Sequence, residues 1–375
     1  ACGVATSPFV LIAGRFLQGL GAGMLVPQTL TLIGVTFPEK IRGRAVGIWG
    51  SIAGTASIIG PLAGGVLIDG LSWRWVFLIN LPIAALVVVL GLRSLPIEMA
   101  RSVRLDLVGT FLAGIGLVAL LYGCLQGPHA GWDLLTIACL PFAVFCLFVF
   151  FRYERRVDPA HAVFPQSLRR NPRFLVAAVF GLFAALGVFA LTFLVSNYIQ
   201  SVLGQTAFWA GAALAPASIA SVVTAPIAGR WVDEGEARLV LQIGFGASAV
   251  GTALSMLIAA MGGSWVWFLG ATVVFGIGNG FVMAPLTTVG MTALRGDEFG
   301  AASSLLNVLR QAGPVLGGAI VGLLMQMLAA MPTEVDPLGI SSSVVAWVLG
   351  VPLLLFIVGL FVYSLVPRSL VSAID

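Results

Sequence analysis

Apolar residues run along this chain in long unbroken stretches, unlike the alternation of strands or the one-sided stripe of helices packed on a soluble core. Short polar gaps divide it into eleven runs, at 8–36, 43–68, 75–95, 105–126, 134–151, 174–200, 207–231, 238–261, 265–291, 299–328 and 343–366. Each is near or above the ~20 residues with which a helix crosses a hydrocarbon core. A helix satisfies its own backbone in lipid, and these runs lack the alternation of a barrel strand. The pattern predicts an all-α polytopic membrane protein.

Composition sharpens that picture. The hydrophobic share is 59%, the charged share 9% and the mean hydropathy +1.07; a soluble domain carries about 25% charge. A water-soluble globule is excluded. The net charge of +4 does not point to nucleic acid, because the basic residues sit in the gaps between apolar runs instead of forming one stripe. Sixteen of the 19 Lys and Arg fall in alternate gaps, and only Arg74 lies in the others. Basic residues near span ends stay cytoplasmic, so the face carrying Lys40, Arg93, Arg152 and Arg368, and with it the C-terminus, is expected to be cytoplasmic. Arg15 and Arg310 are left inside apolar runs. The chain begins at Ala1 without Met, and Ala1 to Ala5 read as the tail of another apolar segment; the expectation is the C-terminal part of a longer protein. Eighteen Arg to one Lys point to a GC-rich bacterial genome and hence a plasma membrane.

The chain also repeats itself. Gly47, Gly60, Pro61, Gly64 and Gly65 recur as Gly300, Gly313, Pro314, Gly317 and Gly318, a shift of 253 residues. Gly19, Gly21 and Gly23 recur as Gly276, Gly278 and Gly280, a shift of 257. Two consecutive helices are duplicated eight segments apart in the same orientation. Parallel repeats of six helices would be six apart, so two extra helices are expected between the halves, at 105–126 and 134–151.

Read through these residues, the chain resembles the major facilitator superfamily, and within it the fourteen-helix drug:proton antiporters of the multidrug efflux type. Arg15-Phe-Leu-Gln18-Gly19-Leu-Gly21-Ala22 resembles the family's RxxQGxGxA motif of the fourth helix. Gly60-Pro61-Leu-Ala-Gly64-Gly65 resembles the antiporter motif of the fifth, with Ala56 in place of an upstream glycine. Trp73 to Pro82 resembles the approach to the sixth. The resemblance implies the major facilitator fold, two six-helix bundles plus two inserted helices. Residues 1–95 would be the end of helix 3 and helices 4 to 6 of the N-terminal bundle, 96–173 the inserted helices and cytoplasmic linker, and 174–375 the C-terminal six-helix bundle. About the first three helices would be absent, including a first-helix acid used in coupling. It also implies secondary active efflux of amphiphilic small molecules by alternating access, with protons as the coupling ion and the lipid bilayer as surroundings. A symporter or uniporter of another solute on the same fold, or a non-transporting polytopic protein, stands as the alternative.

The motifs carry physical meaning of their own. An Arg near a helix centre costs about 2.5 to 3.5 kcal/mol on insertion scales. Arg15, oriented by Gln18 nearly one turn on, can set the protonation of a neighbouring carboxylate and so serve proton coupling; the plainer reading is that it snorkels to the outer face. Pro61 removes a backbone donor while Gly60, Gly64 and Gly65 permit close approach, which reads as a hinge and packing seam. Asn307, Arg310 and Gln311 form the deepest polar cluster in the chain, at spacings of three and four, and are candidates to line a cavity or touch substrate; bonding to carbonyls of a broken helix is the alternative. Arg310 corresponds to Ser57 in the other repeat. Gly229-Arg230-Trp-Val-Asp233, followed by Arg238, resembles a degenerate copy of the family's GxxxD loop, implying a cytoplasmic gate at Gly229, Asp233 and Arg238; a solvated turn is the alternative. Asp106 reads as an N-terminal helix charge. Phe180, Phe183, Phe189 and Phe193 could offer an aromatic wall to an amphiphile, but lipid-facing phenylalanine is the commoner explanation.

Other chemistries lack their parts. Gly19, Gly21 and Gly23 lie within a span, so they are no dinucleotide loop, and the single lysine, Lys40, follows Glu39, which excludes a Walker loop and a nucleotide partner. The four cysteines have no CxxC spacing and His129 and His161 sit in loops on opposite sides, so no metal site, cofactor or enzymatic centre is expected.

Overall fold

The computed structural model describes residues 2–38, 41–50, 70–94, 106–129, 132–157, 164–291, 298–329 and 342–365, with residues 52, 56, 67 and 294 described singly. Among the described residues ten helices are long and apolar enough to cross a membrane. They match ten of the eleven apolar runs. The eleventh, 43–68, is described continuously only through its first turns. The helices are α1 (Pro8–Thr36), α2 (41–50), α3 (Trp75–Leu78), α4 (Asn80–Ser94), α5 (Leu107–His129), α6 (Leu134–Glu154), α7 (Gln166–Arg170), α8 (Pro172–Asn197), α9 (Ala207–Asp233), α10 (Ala237–Ala260), α11 (Phe268–Met291), α12 (Phe299–Ala329) and α13 (Ser342–Leu365). A π-turn over Tyr198–Val202 prolongs α8. The described structure is all-helical, as the continuous apolar runs require.

The helices start where polar side chains take up orphan amides. The Val10 amide donates to Ser7 Oγ (3.4 Å), the Phe174 amide to Asn171 Oδ1 (3.2 Å), and the Thr136 amide to Asp133 Oδ1 (2.9 Å). Asp106 caps α5 in the same way, accepting from the Gly109 amide at 2.9 Å and from the Tyr153 hydroxyl at 3.0 Å, which agrees with its expected place at a helix start. Within spans, hydroxyls turn back onto their own helix. Thr192, Thr224, Thr252, Ser255 and Thr287 each donate to the carbonyl four residues earlier, which removes an uncompensated donor from lipid.

Packing concentrates in α8 to α13. α11 lies between α9 and α10, α10 packs on α13, and α8 contacts α11, α12 and α13. α5 and α6 form a hairpin whose α5 rests on α12, and α1 also meets α12. Glycines set the closest approaches. A Cβ on Gly276 would overlap the Ala217 carbonyl, one on Gly278 would lie 2.7 Å from the Gly244 carbonyl oxygen, and one on Gly280 would lie 2.9 Å from that of Ser221. Gly313 and Gly317 serve α8 in the same way, their Cβ positions falling 2.7 Å from Ala185 Cβ and 3.0 Å from the Leu186 carbonyl oxygen. These two belong to the second copy of the glycine-proline motif. The first copy, Gly60, Pro61, Gly64 and Gly65, lies outside the described residues.

Among the phenylalanines of α8, Phe180 corrects the lipid-facing expectation, Phe183 and Phe189 are half-buried, and Phe193 is exposed as expected. Phe180 is buried, packed edge-on against Phe245 and Tyr363 at ring-centroid distances of 6.0 and 5.3 Å. Phe189 stacks on Phe193 at 5.9 Å and lies against Gly318; of these Phe193 is the exposed one. Lipid and protein interior are equally apolar, so hydrophobicity alone does not tell them apart.

Candidate functional site

The sharpest joint between sequence-distant helices forms where α9 ends. α9 runs 27 residues past internal Pro216 and Pro226 to Asp233, and the chain then reverses through Gly235, whose φ of +92° lies in the left-handed region open to glycine. That turn satisfies the last carbonyls: the Glu236 amide reaches the Trp231 carbonyl at 2.9 Å and the Gly235 amide that of Val232 at 3.0 Å. Asp233 is thereby held facing the first turn of α2. Its Oδ1 accepts from the Gly43 amide (2.7 Å) and its Oδ2 from the Arg44 amide (2.9 Å). A carboxylate on one helix thus caps another whose donors lie 190 residues away in the chain. The positive end of the helix dipole favours the negative charge there.

Small residues make this approach possible. A Cβ on Gly43 would lie 2.7 Å from the Gly229 carbonyl oxygen, and one on Gly47 would lie 2.8 Å from that of Ala225. One turn further along α2, Gly50 faces Ala284 of α11. The Trp49 ring receives the Arg310 guanidinium of α12 at 5.3 Å from its centroid, and Arg42 lies 5.1 Å from the ring centroid of Phe299. The described turns of α2 therefore touch α9, α11 and α12, joining the two repeats.

The remaining predicted residues fall in separate places. Arg15 Nη1 donates to Gln18 Oε1 at 3.0 Å on the exposed side of α1, and its guanidinium lies 5.7 Å from the Phe77 ring centroid. The i, i+3 partnership read from the sequence forms. Gly229 and Asp233 meet α2, whereas Arg238 turns the other way: its Nε donates to the Tyr363 carbonyl at 3.2 Å and its Nη2 to that of Ser364, so it caps α13. In the polar cluster of α12, Arg310 lines a small cleft with Ala177, Gly181, Met283, Thr287 and Leu306, Asn307 is half-buried, and Gln311 is exposed. Adjacent residues on a helix point about 100° apart, which separates Gln311 from Arg310.

Sequence reasoning missed Gly43 and Trp49, and marked Gly47 only as part of the repeat. The spacing of Gly43 and Gly47, four apart at the start of an apolar run, was a usable sign of close helix contact. Nothing marked Trp49. Among the described residues no group of His, Cys, Asp or Glu is arranged to hold a metal ion.

Comparison with known proteins places the chain. The family model described as Major Facilitator Superfamily matches residues 1–318. An uncharacterized MFS-type transporter, Rv1250, of Mycobacterium tuberculosis is 33% identical over 343 residues, covering 90% of this chain and 58% of that protein. The methylenomycin A resistance protein of Bacillus subtilis is 30% identical, covering 88% of this chain and 70% of its own length. The multidrug resistance protein Stp of Mycobacterium tuberculosis is 33% identical, with coverages of 86% and 60%. The chain thus spans between 58% and 70% of the length of these relatives. With ten described membrane-length helices and bacterial relatives, it is a multi-pass plasma-membrane protein, and it belongs to the major facilitator superfamily.

Proposed function

We propose that this chain works in a proton-coupled exporter of amphiphilic small molecules that operates by alternating access. The observation that carries the reading is the Asp233 clasp on the α2 N-terminus, which joins the two repeats at the end of the molecule bearing most of the basic residues. A joint of two charge-assisted hydrogen bonds between glycine-smoothed helices can close one mouth of a central cavity and open again as the halves rock. Relatives named for multidrug and methylenomycin A resistance favour drug export over nutrient uptake. Arg15 and Gln18 take the coupling role: their hydrogen bond fixes a guanidinium within a span, where it can bias the protonation of a carboxylate brought near it.

Proteoliposomes loaded with a pH-reporting dye test this. Addition of a fluorescent amphiphile should drive proton movement in wild-type protein. Asp233→Ala should slow the exchange about tenfold, since two lost charge-assisted bonds shift the closed-state population by about 1.4 kcal/mol. Arg15→Ala should abolish the proton signal while leaving amphiphile binding intact. Proton movement that survives Arg15→Ala at full rate refutes the coupling role, and unaltered exchange in Asp233→Ala refutes the gate.

A further inference from the structure

α6 carries two chemistries along one outward face. Its inner side, with Ala143, Cys146, Phe150 and Glu154 buried, packs on α5, where a Cβ on Gly116 would lie 3.2 Å from Cys146 Cβ. The opposite side presents Leu134, Ile137, Phe145 and Phe148 at helical spacing, all exposed, Phe145 and Phe148 to 63% each. Arg152 continues that row four residues after Phe148, and Arg155 follows three residues later. Arg156 sits in the turn that ends the helix, its amide reaching the Tyr153 carbonyl at 2.8 Å. From Leu134 to Arg152 the row rises about 27 Å at 1.5 Å per residue, close to the ~30 Å of a hydrocarbon core. The apolar row therefore meets acyl chains, and the arginines stand at the level of the lipid phosphates.

The charge at that level is uncompensated. Arg152, Arg155 and Arg156 are exposed, and their guanidinium groups have no hydrogen-bond, ring or carboxylate partner among the described residues. The acids nearby are turned inward. Glu154 is only 1% exposed and its Oε2 accepts from the Phe164 amide at 3.2 Å, while Asp106 accepts from the Gly109 amide and the Tyr153 hydroxyl. Arg169, by contrast, is committed: it donates to the Glu154 carbonyl at 3.3 Å and lies over the Phe164 ring. That bond sets α7, with the exposed Arg170, beside the end of α6. Like charges at spacings of three and four repel one another, and an anion held among them removes the repulsion.

From this arrangement we infer that the end of α6 is a binding site for an anionic phospholipid. Arg152, Arg155 and Arg156 take the phosphodiester oxygens, which the guanidinium fork matches, and an acyl chain lies along Phe148 and Phe145. Arginine clusters just beyond a span attract lipids of net negative charge. A zwitterionic lipid brings its own cation to the same place and is held less well. The site faces away from α5, so its occupant solvates the outer face of the hairpin, and the inference stands apart from the exporter reading.

Native mass spectrometry of the protein in neutral-detergent micelles, titrated with dioleoyl phosphatidylglycerol or dioleoyl phosphatidylcholine, tests it. Phosphatidylglycerol should bind at least tenfold more tightly. Arg152→Gln should weaken it about threefold, and the combined Arg152→Gln, Arg155→Gln and Arg156→Gln variant should lose the preference while keeping its affinity for phosphatidylcholine, which also reports folding. Arg93→Gln, in the last turn of α4, should leave the preference unchanged. Wild-type protein decides the matter even if the triple variant fails to fold: phosphatidylglycerol bearing a diazirine in mid-chain should label the segment holding Phe145 and Phe148 more than any other. Equal binding of the two lipids, a preference that survives the triple substitution, an equal loss in Arg93→Gln, or labelling spread evenly over the spans overturns the inference. Free glycerol phosphate should compete only weakly; binding as tight as that of phosphatidylglycerol would make this a soluble-phosphate site and overturn the assignment to lipid.

Discussion

The same glycine triplet occurs twice in this chain, and among the described residues only one copy meets neighbours. In α11, Gly276, Gly278 and Gly280 each sit where a Cβ would press into a neighbour: Gly276 and Gly280 against α9, Gly278 against α10. In α1, the matching Gly19, Gly21 and Gly23 have nothing among the described residues within 4 Å of a Cβ. Around them Phe16, Leu17, Leu20 and Met24 are exposed as well. A small-residue stripe therefore specifies a capacity for close approach and not the approach itself; the contact energy comes from the partner helix, through dispersion and matched shape. For α11 the partners are the two helices just before it in the chain.

Substitution should separate the two copies sharply. Gly276→Ala places a methyl group into the Ala217 backbone, where no flexible side chain can yield, and is expected to cost about 3 kcal/mol. Gly21→Ala meets open space and should change stability by no more than about 1 kcal/mol, in the stabilising direction, because alanine is the better helix former. Thermal unfolding of the two variants side by side reads the difference. If Gly21→Ala proves as damaging as Gly276→Ala, the α1 stripe has a partner beyond the described contacts and the comparison breaks.

The comparison extends to polar joints, where glycine only clears the way. Asp233→Ala removes the cap on α2 and leaves the Gly43 and Arg44 amides to find new acceptors, an expected loss of about 2 kcal/mol. Asp233→Glu keeps the charge but lengthens the side chain beside Gly43, and should recover only part. Complete recovery by Glu would show that charge matters here and close approach does not. Tyr198, fully buried, donates its hydroxyl to the Gly263 carbonyl at 3.0 Å with no glycine at its own position. Tyr198→Phe should cost about 1 kcal/mol, read as a lowered melting temperature. No measurable shift would mean that water reaches that carbonyl.

What the sequence made legible follows the range of the interaction. Span positions follow from local hydropathy, and the Arg15–Gln18 bond from a spacing of three. Asp233 was recognised as a helix-end carboxylate, yet its partners at Gly43 and Arg44 are helix donors 190 and 189 residues away, which no local pattern encodes. Arg310 announced itself as a charge in an apolar run, while Trp49 beneath it looked like any aromatic residue of a span. Phe180 was misread because a membrane helix is apolar on its protein-facing and lipid-facing sides alike. Arg238 was grouped with Asp233 by resemblance to the GxxxD loop motif, but it lies beyond the Gly235 turn on another helix and caps α13.

The local limit of the comparison is Asp133, whose contacts all lie within one turn. Its carboxylate accepts from both the hydroxyl (2.7 Å) and the amide (2.9 Å) of Thr136 at the start of α6. These bonds, the hydroxyl first, hold its pKa below the ordinary carboxylate value. A folded-state pKa below the unfolded one means that the unfolded chain binds the proton more readily, so stability from this cap is fully present above about pH 4 and is lost as pH falls through the depressed value. The site is open to solvent, so the effect should be the smallest of the set. Melting temperatures of wild-type and Asp133→Asn protein, measured from pH 7 downward, should differ slightly at neutral pH and converge once the pH has fallen through the depressed value. A gap that stays constant across that range would show that Asp133 acts through the shape of its cap and not through its charge. A cap of one turn and a clasp spanning 190 residues would then differ in kind as well as in strength.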